Sequence, residues 1–296
     1  MGHGFSSIGE CQPRFDFIQV PPSRICASVI NSAPMSDSTV HSALTFTDEG
    51  QGLPLVLLHG FPLDRRMWDA QVAELSGHWR VIAPDLRGFG QSRIGEPFCI
   101  ADLADDVHTM LVQLAALPCV LAGLSMGGYV ALAFARKYLH ELSGLMLVDT
   151  KAEGDTPEQK AGRAKMIELA QKQGAKAVAD QMLPKLLAED VPRTRPAIAA
   201  AVRKMCEACP AKTIEHALAA MRDRPDQSPY LSMIKVRSLI IVGDADAITP
   251  VPVSEAMQKA LPGAELSIIK GAGHMSPMEQ PAQVNRAMTG FLQSLH

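Results

Sequence analysis

From residue 42 onward the chain alternates short apolar runs with stretches of helical period. Leu44 and Phe46 alternate with Thr45 and Thr47, and Leu53 to Leu58 then forms a continuous apolar run. A run of that kind marks a strand buried on both faces of a sheet. Further runs occur at Arg80 to Ala83, Cys119 to Ala122, Leu145 to Val148, Ser238 to Val242 and Leu266 to Ile269. Between them, Leu103, Val107, Met110, Leu111 and Leu114 recur at helical spacing before Pro118. Pro281 opens a final helix that keeps Val284, Met288, Phe291 and Leu295 on one face. Strands alternating with helices predict an α/β protein whose mostly parallel central sheet carries helices on both faces.

The alternation lapses over 151–232, which reads as helical throughout. Thr156-Pro157-Glu158-Gln159 is a capping box with proline at the first helical position, Gly174 follows that helix, and Ile214, Leu218 and Met221 mark another. An insertion of this kind is expected at the strand ends, as a lid after the sixth strand. Residues 1–40 carry Ser, Pro and Gly without periodicity and predict a poorly ordered extension, within which Met35 offers an alternative start. The predicted organisation is an extension over 1–40, a core over 41–150 and 233–296, and a helical lid over 151–232.

Composition narrows the partners. The chain has 296 residues, 47% of them apolar, and a formal net charge of −3 without a basic stripe, so neither nucleic acid nor an anionic membrane surface is expected as a partner. That balance also calls for no charged substrate. No apolar run approaches the roughly 20 residues that cross a bilayer. Pro13, Arg14, Asp16, Pro21, Pro22 and Arg24 interrupt any secretory core. Six irregularly spaced cysteines fit a reducing compartment, and a cytoplasmic location is expected. Cys206-Glu207-Ala208-Cys209 reads as two helix-borne thiols, because no second cysteine pair stands at zinc-site distance. Met1-Gly2 through Ser6 matches the form of an N-myristoylation motif, which is too short to carry weight alone.

The chemistry concentrates in loops after strands. Gly123-Leu124-Ser125-Met126-Gly127-Gly128 follows one apolar run and precedes a helical one, the strand–turn–helix context of a nucleophile elbow. Glycines two before and two after the serine leave room for a turn in which a β-carbon would strike backbone. A serine needs a base, and the base needs an orienting acid. His274, in Gly271-Ala272-Gly273-His274, is the candidate base, and Asp246, 28 residues earlier in Gly243 to Pro250, is the candidate acid. Asp244 and Asp149 are rival acids, Asp244 being expected to cap its own loop and Asp149 the exit into the lid. His59-Gly60-Phe61-Pro62 follows the Leu53–Leu58 run, and the backbone N–H groups of Phe61 and Met126 are the expected oxyanion donors. His59 and the Asp85 to Ser92 loop are expected to be structural.

These motifs, in this order, resemble those of the α/β-hydrolase superfamily from about residue 42 to 295, in the branch of small carboxylesterases, 3-oxoadipate enol-lactonases and cofactor-free haloperoxidase-like perhydrolases. The resemblance implies the α/β-hydrolase fold with Ser125 as nucleophile, His274 as base and Asp246 as its partner. It also implies a small ester or lactone substrate, no cofactor and no metal, and it leaves oligomeric state open. Ser125 separates the chain from related epoxide hydrolases and haloalkane dehalogenases, which carry aspartate at that position.

Overall fold

The computed structural model describes residues 44–295. The expected extension over 1–40, with Met35 and the Met1–Ser6 motif, lies outside them. The strands are β1 (Phe46–Glu49), β2 (Pro54–Leu58), β3 (Arg80–Pro84), β4 (Cys119–Leu124), β5 (Leu142–Val148), β6 (Ser238–Gly243) and β7 (Glu265–Ile269). The helices are α1 (Asp69–Leu75), α2 (Ile100–Gln113), α3 (Met126–Tyr138), α4 (Pro157–Leu186), α5 (Val191–Thr194), α6 (Pro196–Ala208), α7 (Ala211–Asp223), α8 (Val251–Ala260), α9 (Ser276–Glu279) and α10 (Pro281–Gln293).

The strands form one sheet in the order β1-β3-β2-β4-β5-β6-β7, with β1 antiparallel to β3 and the remaining pairs parallel. The continuous apolar runs are explained by burial on both faces. In β2, Val56 and Leu58 join α2 and α3 in one core, whereas Leu55 and Leu57 join α1 and α10 in the other. β4 divides in the same way, with Cys119 and Leu121 on the first face and Val120, Ala122 and Leu124 on the second. The chain runs outward from β2 to β3 and returns to β4 on the other side, so the strand order reverses between β2 and β4. In open α/β sheets the carboxyl ends at such a reversal are where ligands bind.

Four helices, α4 to α7, lie between β5 and β6. Among the described residues the insertion follows the fifth strand, not the sixth. Thr156 caps α4 as its sequence predicts: its Oγ1 accepts from Gln159 N at 3.3 Å, and Gln159 Oε1 accepts from Thr156 N at 3.1 Å. The segment is not helical throughout. Gly174, at φ 76° and ψ −174°, breaks α4 into two arms, a conformation that only glycine adopts without cost.

The glycines flanking Ser125 separate backbone from backbone. A β-carbon on Gly123 would overlap the Gly127 carbonyl and stand 2.6 Å from Gly128 N, and one on Gly127 would overlap the Leu58 carbonyl and stand 2.8 Å from that of His59. Gly290, exposed on α10, would meet nothing within 4 Å. Gly127→Ala is therefore expected to cost about 1–3 kcal/mol or more through overpacking, and Gly290→Ala to add about 0.5–1 kcal/mol through helix propensity. Thermal unfolding of the two variants checks this: melting points that move in the same direction would contradict the packing argument.

Candidate active site

The loops after β2, β4, β6 and β7 meet at the carboxyl edge of the sheet. Ser125 joins β4 to α3 at φ 53°, ψ −112°, a left-handed conformation that an L-residue keeps only when its surroundings over-determine it. Four hydrogen bonds do so here. Ser125 N donates to Val148 O at 3.0 Å, while Ser125 O accepts from Gly128 N at 2.9 Å, Tyr129 N at 3.2 Å and Thr150 Oγ1 at 2.8 Å. The turn sets the serine at the N-terminus of α3, where the helix presents partial positive charge.

Phe61 and Met126 flank this position. Gly60, next to Phe61, sits so close to Ser125 that its β-carbon would lie 3.4 Å from the serine's own. Met126 is the first residue of α3, so its N–H has no carbonyl in a preceding helical turn. The Phe61 N–H makes no backbone hydrogen bond among the described residues.

Asp246 and His274 are directly joined. His274 Nδ1 lies 2.8 Å from Asp246 Oδ2, which also accepts from Thr249 Oγ1 at 2.7 Å, and Asp246 Oδ1 accepts from Ile248 N at 2.8 Å and Thr249 N at 3.0 Å. Burial pushes the Asp246 carboxyl up, but the His274 charge and the hydrogen bonds from His274 and Thr249 outweigh it and hold the carboxyl at about 2. Burial likewise works against an imidazolium at His274, and the Asp246 charge and hydrogen bond outweigh it and raise the histidine above its ordinary value. The Ser125 hydroxyl has no hydrogen bond to His274 in this structure. Nucleophile–base contacts commonly close only around substrate.

The two rival acids have different surroundings. Asp244 Oδ1 accepts from Gly271 N at 2.8 Å and ties its loop to the turn after β7. Asp149 does not cap the exit into the insertion, contrary to expectation. It points the other way: Oδ1 accepts from Gly243 N at 2.8 Å, and Oδ2 from Ser276 Oγ at 2.6 Å and Ser276 N at 3.2 Å. Burial first, and then the charge of Asp246, push it up to about 8, so of two neighbouring carboxyls it is the harder to ionise. The more readily charged one is bonded to the histidine.

Glu279 gave no signal in the sequence. Its buried carboxylate accepts from Gly273 N at 3.0 Å and Met275 N at 3.2 Å, on either side of His274, and from Ala188 N at 3.0 Å in the helical insertion. Arg195, between α5 and α6, donates to the Glu279 carbonyl and, at 3.3 Å, to Gly271 O.

The remaining histidine and cysteine readings resolve locally. His59 is buried, with Nδ1 3.0 Å from Gly60 O and Nε2 accepting from Leu86 N at 3.0 Å. Burial lowers its pKa, and both ring nitrogens serve the scaffold. Asp85 binds Arg65 and the Gln91 amide, holding its loop together. Cys206 lies buried on α6, its thiol pushed up to about 12 by burial, and Cys209 follows at the helix end. Among the described residues no three His, Cys, Asp or Glu side chains converge as a metal centre would require, and no helix is long and apolar enough to cross a membrane. A cavity of about 280 Å³ opens beside Phe61 and Thr249, beneath the insertion. Of the insertion's apolar residues, Met166, Met182 and Leu218 line it; these also pack into the cores, as Ile167, Leu169 and Leu186 do.

The chain is similar to an esterase from Thermogutta terrifontis, solved with malate bound, at 42% identity and a TM-score of 0.84 over 86% of this chain and 94% of the other. It is 32% identical to the AB hydrolase superfamily protein YisY of Bacillus subtilis, covering 86% of this chain and 97% of that protein. It is also 26% identical to 3-oxoadipate enol-lactonase 1 of Acinetobacter baylyi, over 87% and 99%. The model of the alpha/beta hydrolase family matches residues 55–287. With seven strands in the required order and motif loops at one sheet edge, the chain belongs to the alpha/beta hydrolase family.

Proposed function

We propose that the protein hydrolyses small carboxylic esters through an acyl-enzyme on Ser125. The observation that carries this reading is the buried Asp246–His274 pair at 2.8 Å, at the same sheet edge as a serine held in a left-handed turn. Ser125 Oγ attacks the ester carbonyl as its proton passes to His274 Nε2, while Asp246 holds the ring with Nδ1–H toward itself and stabilises the imidazolium. The carbonyl oxygen becomes an oxyanion and takes the N–H groups of Phe61 and Met126. Collapse expels the alcohol, which receives the proton from His274. Water then attacks the acyl-enzyme, His274 takes its proton, and the acid leaves with Ser125 restored. Helices α4 to α7 serve as the lid, and the cavity below them suits a short acyl group. The same steps open a lactone ring, and similarity to an enol-lactonase supports that second reading.

Ser125→Ala is expected to lower turnover of p-nitrophenyl butyrate by about a thousandfold or more, and unchanged turnover would refute the assignment. Wild-type enzyme mixed with excess ester should release p-nitrophenol in a burst matching the enzyme concentration if deacylation is the slower step. The pH profile tests the acid. The base must be neutral, so activity rises as pH passes through the His274 pKa, which Asp246 holds up. Asp246→Asn removes that charge, so the rise in residual activity should shift to lower pH while kcat falls by about 10⁴-fold. A rise that stays in place would assign the partner role elsewhere.

A further inference from the structure

The cavity beside Phe61 and Thr249 has a mixed lining. Phe61, Tyr129, Met166, Met182, Leu218 and Ile248 are its apolar residues, and Lys151, Asp155, Gln159, Arg163, Gln181 and Lys185 its titratable and amide ones. Among these Asp155 is the single acid against three cations, and its side chain is 1% exposed.

That carboxylate is shared three ways. It accepts from Arg163 Nε at 2.9 Å and from Arg224 Nη1 at 2.7 Å, with Lys151 Nζ 3.9 Å away. Arg224 also donates to the Met221 and Glu153 carbonyls and lies over the face of Tyr129, its Nε buried without a partner. Lys151 is different. Its side chain is 13% exposed, and its ammonium has one hydrogen-bond acceptor, Gln159 Oε1 at 2.9 Å, although it carries three protons to donate. Burial, and then the charge of Arg224, lower its pKa, against the charges of Asp155 and Glu153. Lys185, exposed, also lines the cavity and has no ion-pair partner among the described residues. A partly buried cation with few acceptors favours an anion brought by a ligand.

We propose that Lys151, supported by Arg163 and Lys185, binds a carboxylate at the far end of the acyl chain, so that the preferred substrates are monoesters of short dicarboxylic acids. The apolar lining residues take the methylenes between that carboxylate and the reacting carbonyl. The proposal rests on the ester-hydrolase reading for its reaction, but the binding of the carboxylate stands apart from it.

Two arms test it. The first compares mono-p-nitrophenyl adipate with p-nitrophenyl hexanoate, which match in length and leaving group. Wild-type kcat/KM is expected to favour the adipate ester at least tenfold, mainly through KM. Lys151→Met should cut that ratio at least tenfold, and Lys151→Arg should keep most of it. The second arm follows thermal unfolding of Ser125→Ala, which needs no turnover: free adipate should raise its melting point and hexanamide should not, and adding Lys151→Met should abolish the shift. If Lys151→Met does not fold, Lys151→Gln replaces it. A wild-type ratio at or below one, or a ratio that Lys151→Met or Lys151→Gln leaves unchanged, overturns the proposal, as does the absence of any shift with adipate. If adipate shifts the melting point while neither ester is turned over, the hydrolase reading fails and the carboxylate site survives.

Discussion

Close backbone approach at the end of β4 governs the rest of the molecule. Gly123, Gly127 and Leu58 meet with no side chain between them, and Ser125 is forced into a left-handed conformation at the tip of the turn. The conformation is costly, of order 1–3 kcal/mol for a non-glycine residue, and it persists because both flanking elements are locked into buried layers. β4 is buried at every position between β2 and β5, and the first ten residues of α3 are buried as well. The cores on the two faces of the sheet thus stabilise local strain at its edge. Relaxing the turn would require β4 to slide, which would carry every apolar side chain of the strand out of register.

Around that point the fold places three buried carboxyls and gives each a different task. Asp246 is held well below the usual carboxylate range and joined to an imidazole, Asp149 is pushed up by burial and by Asp246, and Glu279 gathers three backbone N–H groups. Amide donors, strand ends and one histidine supply nearly all their partners. The arrangement stays cohesive because each acceptor meets donors that the fold has already fixed.

What could be read from the sequence follows the range of each interaction. The strand and helix pattern, the cap at Thr156, the break at Gly174 and the crowding at Gly123 and Gly127 depend on neighbours within a few residues, and they were legible. The pairing of Asp246 with His274 was legible through loop context and chain order, although the two stand 28 residues apart. Asp149 was misread because its partners, Gly243 and Ser276, are 94 and 127 residues away, and only the strand order brings them near. Glu279 was silent because its contacts are to backbone, which has no side-chain signature. The three cations lining the cavity were hidden in a net charge of −3, since a sum over the chain conceals where the charges collect.

Glu279 also bears on how such enzymes can be recombined. Its carboxylate binds amides on both sides of His274 and the amide of Ala188, while Arg195 ties the same insertion to the Glu279 and Gly271 carbonyls. The insertion and the histidine loop therefore form one exchangeable unit, although 91 residues separate Ala188 from Glu279 in the chain. A chimera that swaps the insertion at the ends of β5 and β6 leaves a foreign backbone opposite Glu279. A seam that also carries the turn from Gly271 to Gln280 preserves the clamp, and with it the orientation of the imidazole.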